Sequence, residues 1–399
     1  MKPAIKMGSL LLAVMMVFTA VFASGCSLEP EWSYKTSDKE LAIGIYIYSL
    51  NSAFSEAKSY AEKLDDYDGA KDTWLDMEIT DDDGNTEVAR TWIKNKAQKT
   101  CLKYLAVEKA IKDQGATVDS ATLASAKDQS KSYWEVGPYA SYGYIQPMKD
   151  ELEKYGVSFE SFSYCTADYS VNYSTLFASL YDAGGSQAVA DSELVKFVED
   201  NYADYTYFSV PLYESTPDET TGETTSVAMS EDKIKALKDE INGYVSELNS
   251  GKSFDDVISK YMEANGLTEN PAADNDKIEF KDDFSAGDEV KAAYEKLETG
   301  KADAVTVGEG TTATLYLVYK KDIKSDSSEY VTSNHASVLS KMKTDDFDAY
   351  IDELIEKLEY EKSSAVDKYD PKMFFVAEEP TTVAEESTED INEESGSAE

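Results

Sequence analysis

At Tyr202 the chain changes its period, and this change constrains the architecture more than any other feature. Before it, apolar residues recur at helical spacing. Val88, Trp92, Leu102, Leu105 and Ile111 fall near one face of a segment over 87–112. After it, residues 205–213 are rich in aromatic and β-branched side chains and predict a strand. Helices expected over 232–248, 254–264 and 288–297 then alternate with strands at 277–280, 304–307 and 312–319. The resulting order, β-α-α-β-α-β-β, describes a compact α+β unit. Helical spacing returns over 337–360, where Phe347, Ile351, Leu354 and Leu358 share a face. The chain therefore reads as a multidomain α+β protein. A mainly helical part is drawn from both ends of the sequence, and an α+β unit is inserted between them.

Within the first part, Ser37 followed by Glu40 fits a helix start running to about residue 64. Further helices are expected over 120–134, 145–155, 159–182 and 191–201, with Gly156 and Ser158 punctuating two of them. Everything before Tyr202 is thus expected to be helical or loop. The run Asp81-Asp82-Asp83-Gly84-Asn85 invites a calcium-loop reading, but the spacing fails. Ile79 would occupy the first ligand position and Arg90 the closing one, so a solvated hairpin or loop is expected. Residues 215–230 read as a polar loop. Tyr133, Trp134, Tyr139, Tyr142 and Tyr144 form an aromatic stretch broken by Gly137, Pro138 and Gly143. It is either a sticky wall for peptides or a loop pinned by its own rings against helices. The second is the commoner fate of aromatic side chains.

The N-terminus carries Lys2 and Lys6, an apolar run over 10–22, and then Ala23-Ser24-Gly25-Cys26. This is the layout of an export signal, and the apolar run is shorter than the roughly 20 residues that span a bilayer. Small residues followed by cysteine resemble the bacterial lipoprotein signal, with Ala23 where leucine is usual. That resemblance implies lipidation of Cys26 and anchorage to the outer face of the bacterial cell membrane. The other reading is an ordinary secretory signal cut near Gly25.

Composition narrows the function. The net charge is −40, and removal of Lys2 and Lys6 leaves 36 basic against 78 acidic residues, a net −42. Such a chain repels nucleic acid and anionic lipid surfaces, so attachment would rest on the lipid alone. Cys101 and Cys165 are expected as two free, partly buried thiols, with a disulfide the alternative in an exported chain. No Cys or His cluster suggests a metal, and no cofactor is expected. His335 is the only histidine and sits where a helix start is read, with Ser333 or Asn334 as cap, so a Ser-His-Asp hydrolase has little to build on. The repeated strand-helix alternation of solute binders is absent. Residues 377–399 are acidic and nearly free of apolar side chains, and they read as a disordered tail.

Three stretches carry a further resemblance: Tyr155-Gly156-Val157-Ser158-Phe159-Glu160, the helix from Asp191 through Tyr202, and Leu248-Asn249-Ser250-Gly251-Lys252-Ser253-Phe254-Asp255-Asp256. With the helix end at Leu297-Glu298-Thr299-Gly300-Lys301, their order resembles the PrsA-type extracytoplasmic foldases, which are similar to SurA-like chaperones. The resemblance implies a signal over 1–25, a tether over 26–36, and a helical chaperone domain over 37–201. A parvulin-like domain over 202–323, a returning helical segment over 324–376 and the tail complete it. It also implies a peptide-binding prolyl-isomerase site. The family's two histidine positions fall on or near Tyr207 and Tyr316, and pocket positions fall near Phe284, Val290 and Tyr294. The family's glycine-rich loop is missing. The implied function is an anchored chaperone for unfolded exported proteins, with weak or no prolyl isomerisation. An active isomerase and a surface adhesion or assembly lipoprotein are the alternatives.

Overall fold

The computed structural model describes residues 31–217 and 224–377, with side chains undescribed at 216–224. The export signal, Cys26 and the tail from 378 onward lie outside the described residues. Contacts divide the described residues into two compact units, one up to residue 179 together with residues from 347 onward, and one of residues 180–346.

The first unit opens with strands β1 (Trp32–Lys35) and β2 (Glu40–Ala42), followed by helix α1 (Ile43–Ala61). The hairpin of β3 (Glu78–Thr80) and β4 (Thr86–Val88) leads into helix α2 (Ala89–Gln114), which packs against α1. Helix α3 (Ser120–Glu135) follows, capped by the Asp119 carboxylate, which accepts from the Thr122 N–H at 2.7 Å. Then come α4 (Lys149–Leu152), α5 (Phe159–Ser163), a π-helical turn over Tyr164–Asp168, and α6 (Tyr169–Tyr181). The Ser158 hydroxyl caps α5 by accepting from the Ser161 N–H. Leu41, Leu50, Phe54, Trp74, Ile93, Leu105 and Phe162 are buried in one continuous core.

Three expectations for this part are corrected. Residues 37–42 do not begin a helix. Tyr34 in β1 is buried, and β1 pairs with β2 on one side and with the distant strand Glu361–Lys362 on the other. Because of that pairing, the stretch expected as a tether enters the fold at residue 32, and the part before Tyr202 is not strand-free. The helix expected over 145–155 shrinks to α4 and one 3-10 turn, Glu153–Tyr155. Pro147 disfavours helix at the residue before it. Upstream backbone also claims this segment, since the Gln146 N–H donates to Val136 O at 3.0 Å and the Met148 N–H to Tyr133 O at 3.3 Å. The Asp81–Asn85 run is a hairpin turn, as expected, with Asn85 N–H donating to the Asp81 carboxylate at 2.8 Å.

The second unit begins its ordered elements with α7 (Asp191–Asn201) and strand β5 (Tyr202–Pro211). A hairpin, β6 (Tyr213–Pro217) and β7 (Thr224–Ala228), occupies much of the expected polar loop. Helices α8 (Glu231–Asn249) and α9 (Phe254–Asn265), strand β8 (Asp276–Phe280), helix α10 (Asp288–Lys296), and strands β9 (Ala302–Val307) and β10 (Thr314–Lys320) complete the α+β unit. The sheet order is β8-β5-β10-β9, and every neighbouring pair is antiparallel. Alternation along β5 and β10 gives the sheet two apolar faces. Phe208, Leu315 and Leu317 pack against Ile241, Leu248 and Ile258 of α8 and α9. Ala203, Tyr205 and Val318 pack against Val290, Ala293 and Tyr294 of α10. Helix α11 (Ile323–Glu356) comprises two helical stretches: the second begins near the expected start and ends a little before the expected end, and the first, from Ile323, was not expected. Its geometry breaks at Asn334, with φ −126° and ψ 23°, beside the segment expected to start the helix.

Cys101 and Cys165 are buried and unbridged. Burial pushes the Cys101 thiol up to about 12, against a small opposing effect of the Ser49 hydroxyl 3.8 Å from its sulfur, and burial likewise pushes Cys165 upward. Thiolate is the reactive form. In a form beginning at Ser27, neither thiol is expected to react with a disulfide reagent at pH 8 until denaturant is added. Rapid reaction of the native chain would contradict this burial.

Candidate functional site

The β5–β10 ladder sets the geometry. Tyr207 pairs with Val318 and Tyr316 with Ser209, so the odd residues of β5 and the even residues of β10 share a face. On that face Tyr205 is fully buried and stacks flat on Phe284, with ring centroids 4.3 Å apart and planes at 11°. Tyr205 also stacks with Tyr207 at 5.9 Å, and Tyr207 meets Tyr316 at 5.9 Å. Phe284, Tyr205, Tyr207 and Tyr316 thus form one row of rings, with separations in the range of favourable aromatic pairs. Polar bonds hold the row in place. The Tyr205 hydroxyl donates to Glu279 Oε1 at 2.6 Å, and the Ser285 N–H donates to the same oxygen at 2.6 Å. The Tyr294 hydroxyl accepts from the Asp204 N–H at 3.2 Å.

The residues singled out from the sequence, Tyr207, Phe284, Val290, Tyr294 and Tyr316, therefore meet on one side of the sheet. Tyr207, Phe284 and Tyr316 are half-buried and reachable, whereas Val290 and Tyr294 are buried and form the floor beneath. Burial, then the neighbouring Tyr316 and Glu279, push the Tyr207 phenol upward, so it stays neutral at ordinary pH. Among the described residues neither the Tyr207 nor the Tyr316 hydroxyl has a hydrogen-bond partner. Both can donate to a peptide carbonyl. His335 is not on this face but on α11, with Nε2 3.6 Å from Asp191 Oδ1. Among the described residues no group of three or more His, Cys, Asp or Glu side chains could hold a metal ion. The face thus presents half-buried rings with two phenolic hydroxyls free to donate.

A second feature escaped the sequence reading. Asp204 on β5 is fully buried, and among the described residues neither carboxylate oxygen has a hydrogen-bond donor. Lys321 Nζ lies 3.4 Å from Asp204 Oδ1 and also reaches Asp276 at 3.0 Å and Asp326 at 3.5 Å. Burial raises the Asp204 carboxyl to about 6, with Lys321 pulling it down and Asp326 pushing it up. The available signal was a carboxylate inside an otherwise apolar and aromatic strand, Tyr202-Ala203-Asp204-Tyr205.

In the first unit the aromatic stretch splits. Trp134 is buried and Tyr133 half-buried, as a pinned loop requires. Tyr139, Tyr142, Tyr144 and Ile145 are instead exposed, at 61, 78, 73 and 73%. The loop is held in this form by backbone. Gly137 has φ 97°, and a Cβ there would stand 2.2 Å from the Gln146 carbonyl oxygen, so only glycine fits. Beside it lies a depression of about 500 Å³ lined by Pro138, Tyr139, Pro147, Met148, Tyr155 and Val376, among others.

No family model matches the chain, and no curated protein matches it. Among solved structures it is similar to the crystal structure of PrsA from Bacillus subtilis, at 14% identity. The likeness covers 71% of this chain and 91% of that one, with a TM-score of 0.24. No described helix is long and apolar enough to cross a membrane.

Asp204 yields a prediction with a definite sign. Its folded pKa, about 6, lies above the unfolded value near 4. The folded state therefore binds the extra proton, and the stability tied to it is present below about pH 4 and is lost as pH rises through 6. Asp204→Asn removes this loss. Compared with the parent, the variant is expected to gain on the order of 2 kcal/mol at pH 7.5 and almost nothing at pH 4, measured by denaturant unfolding. A variant destabilised at pH 7.5 would show instead that the ion pair with Lys321 outweighs the burial.

Proposed function

We propose that this chain is an extracytoplasmic, lipid-anchored chaperone that binds unfolded segments of exported proteins. Its sheet-containing unit holds peptide without efficient prolyl isomerisation. The observation that carries the reading is the exposure of Tyr139, Tyr142, Tyr144 and Ile145 within a single loop of an otherwise strongly acidic protein. Large apolar side chains gathered in water mark interaction surfaces. Tyrosine suits an adaptable one, because it offers wide contact area and a polar tip at low conformational cost. The row Phe284, Tyr205, Tyr207 and Tyr316 supports a second peptide-binding surface, on the unit expected to be parvulin-like. Lipidation at Cys26 is part of the proposal and rests on the sequence alone.

The chemistry of the tyrosine row argues for holding over catalysis. Prolyl isomerisation must lower a barrier near 20 kcal/mol that arises from the partial double bond of the amide. The positions where the resembling family carries histidines hold Tyr207 and Tyr316, and Tyr205, on the far side of Tyr207 from Tyr316, is committed to Glu279. The two unpartnered hydroxyls leave room for slight residual activity.

Two outcomes are expected. The chain should suppress aggregation of a reduced, unfolded client, and serine at positions 139, 142, 144 and 145 together should weaken this severalfold without changing thermal stability. Full suppression by the variant would remove the loop from the account. In a prolyl-peptide assay the chain should accelerate isomerisation only marginally, and Tyr207→Phe with Tyr316→Phe should abolish whatever is seen. A turnover typical of active parvulins would overturn the holding reading.

A further inference from the structure

At the Phe284 end of the aromatic row lies a small cavity of about 230 Å³. Its lining is unusual for a chain of net charge −40: Lys281, Lys291 and Lys320, with Glu295, around the rings of Phe284 and Tyr294. The lysines come from three elements. Lys281 follows β8, Lys291 stands on α10, and Lys320 ends β10 directly across from Tyr205.

Most lysines of this protein are neutralised by a nearby carboxylate, but two of these three are not. Among the described residues Lys281 donates to the Asp200 carbonyl at 2.6 Å, and Lys320 donates to the Tyr294 carbonyl at 3.4 Å and lies over the Tyr294 ring at 4.5 Å. Lys291 has a loose contact with Asp282 at 3.7 Å. Burial, and then the charge of Lys281, disfavour the protonated form of Lys320, with Glu295 opposing. The cavity therefore holds positive charges that face one another and lack a full complement of anions.

We propose that this cavity is an anion subsite of the peptide-binding face and takes a carboxylate of the bound peptide. The inference rests on the reading of the tyrosine row as a peptide surface and adds to it a substrate class, apolar or prolyl segments that carry an acidic group. Phe284 belongs to both the row and the cavity, so the two are continuous. Its ring and that of Tyr294 offer apolar walls for the methylene stem of a glutamate, while the ammonium groups meet the carboxylate. The overall negative charge does not forbid this, because screening confines charge effects to about 8 Å at physiological salt. Spacing follows from the strand. Lys320 and Tyr316 lie on the same face of β10 four residues apart, about 13 Å at the strand rise. An extended peptide would thus place its acidic group about four residues from the residue over Tyr316.

The test uses the full chain and short prolyl peptides with amidated ends and an uncharged dye, followed by fluorescence anisotropy. One peptide is neutral, one carries glutamate four residues from the proline, and a third has no charged side chain but, in place of the amide, a free C-terminal carboxylate at that spacing. A carboxylate-bearing peptide is expected to bind about tenfold more tightly than the neutral one, the equivalent of one charge-assisted hydrogen bond. The two carboxylate arms say whether side chain or terminus is preferred. Lys281→Gln with Lys320→Gln should erase the difference, and Lys320→Glu should turn the preference toward a lysine-bearing peptide. Equal binding of neutral and acidic peptides overturns the subsite and leaves the peptide face standing. An acidic preference that survives the lysine substitutions also overturns it. Failure of every peptide to bind overturns the peptide face and the subsite together.

Discussion

The pairing of β5 with β10 is the constraint on which the second unit depends. Seven residue pairs, from Thr314 opposite Pro211 to Lys320 opposite Tyr205, fix which side chains face α10 and which face α8 and α9. Side chains alternate with a period of two, so a slip of one residue would exchange the faces completely. Phe208 and Leu317 would leave the α8–α9 core, and Tyr205 and Val318 would lose α10. Both faces are apolar, and each is matched to a particular helix partner. The register is therefore held from both sides, and the tyrosine row is a consequence of it.

Much of this unit was legible in the sequence because its signals are local. Aromatic and β-branched residues marked β5, turn glycines bounded β9 and β10, and a serine preceded α9, whose Ser253 hydroxyl accepts from the Asp256 N–H. The meeting of Tyr207 and Tyr316 was inferred from a family resemblance, and the antiparallel register brings their rings together. What stayed hidden depends on distant partners. Ser37 and Glu40 look like a helix start, yet Tyr34 pairs with Lys362, more than 300 residues away, and the local capping signal loses to that sheet. Exposure of Tyr142 and Tyr144 was hidden for a related reason. Aromatic rings are usually core, and nothing local says that backbone bonds around Gly137 hold this loop away from the helices. The lysines of the small cavity are scattered over 40 positions, and only the fold gathers them.

Electrostatics gives the two units a common theme. The chain carries 78 acidic residues, and its lysines are largely tied to them in exposed pairs that contribute little stability each. Three departures from that pattern lie in or beside the sheet of the second unit. Asp204 is a buried carboxylate held only by a long contact with Lys321 at 3.4 Å, and among the described residues Lys281 and Lys320 are ammonium groups without an ion-paired carboxylate. The first marks a cost built into the sheet. The second marks a place where a ligand's negative charge would be welcome on a surface that otherwise repels it. Two aromatic surfaces stand apart from this charged exterior: the exposed loop near residue 142 and the half-buried row at Tyr207.

For the sheet-containing unit, the proposal's central claim is that peptide binds along the row of rings on the α10 side of the sheet. Solution NMR of the chain with labelled tyrosine and phenylalanine rings, titrated with a prolyl peptide, tests it most directly. The account predicts shifts at Tyr207, Tyr316 and Phe284, with Phe208 on the opposite face unmoved. Shifts confined to Phe208 and its neighbours, or none in the sheet at several-fold excess of peptide, would contradict it.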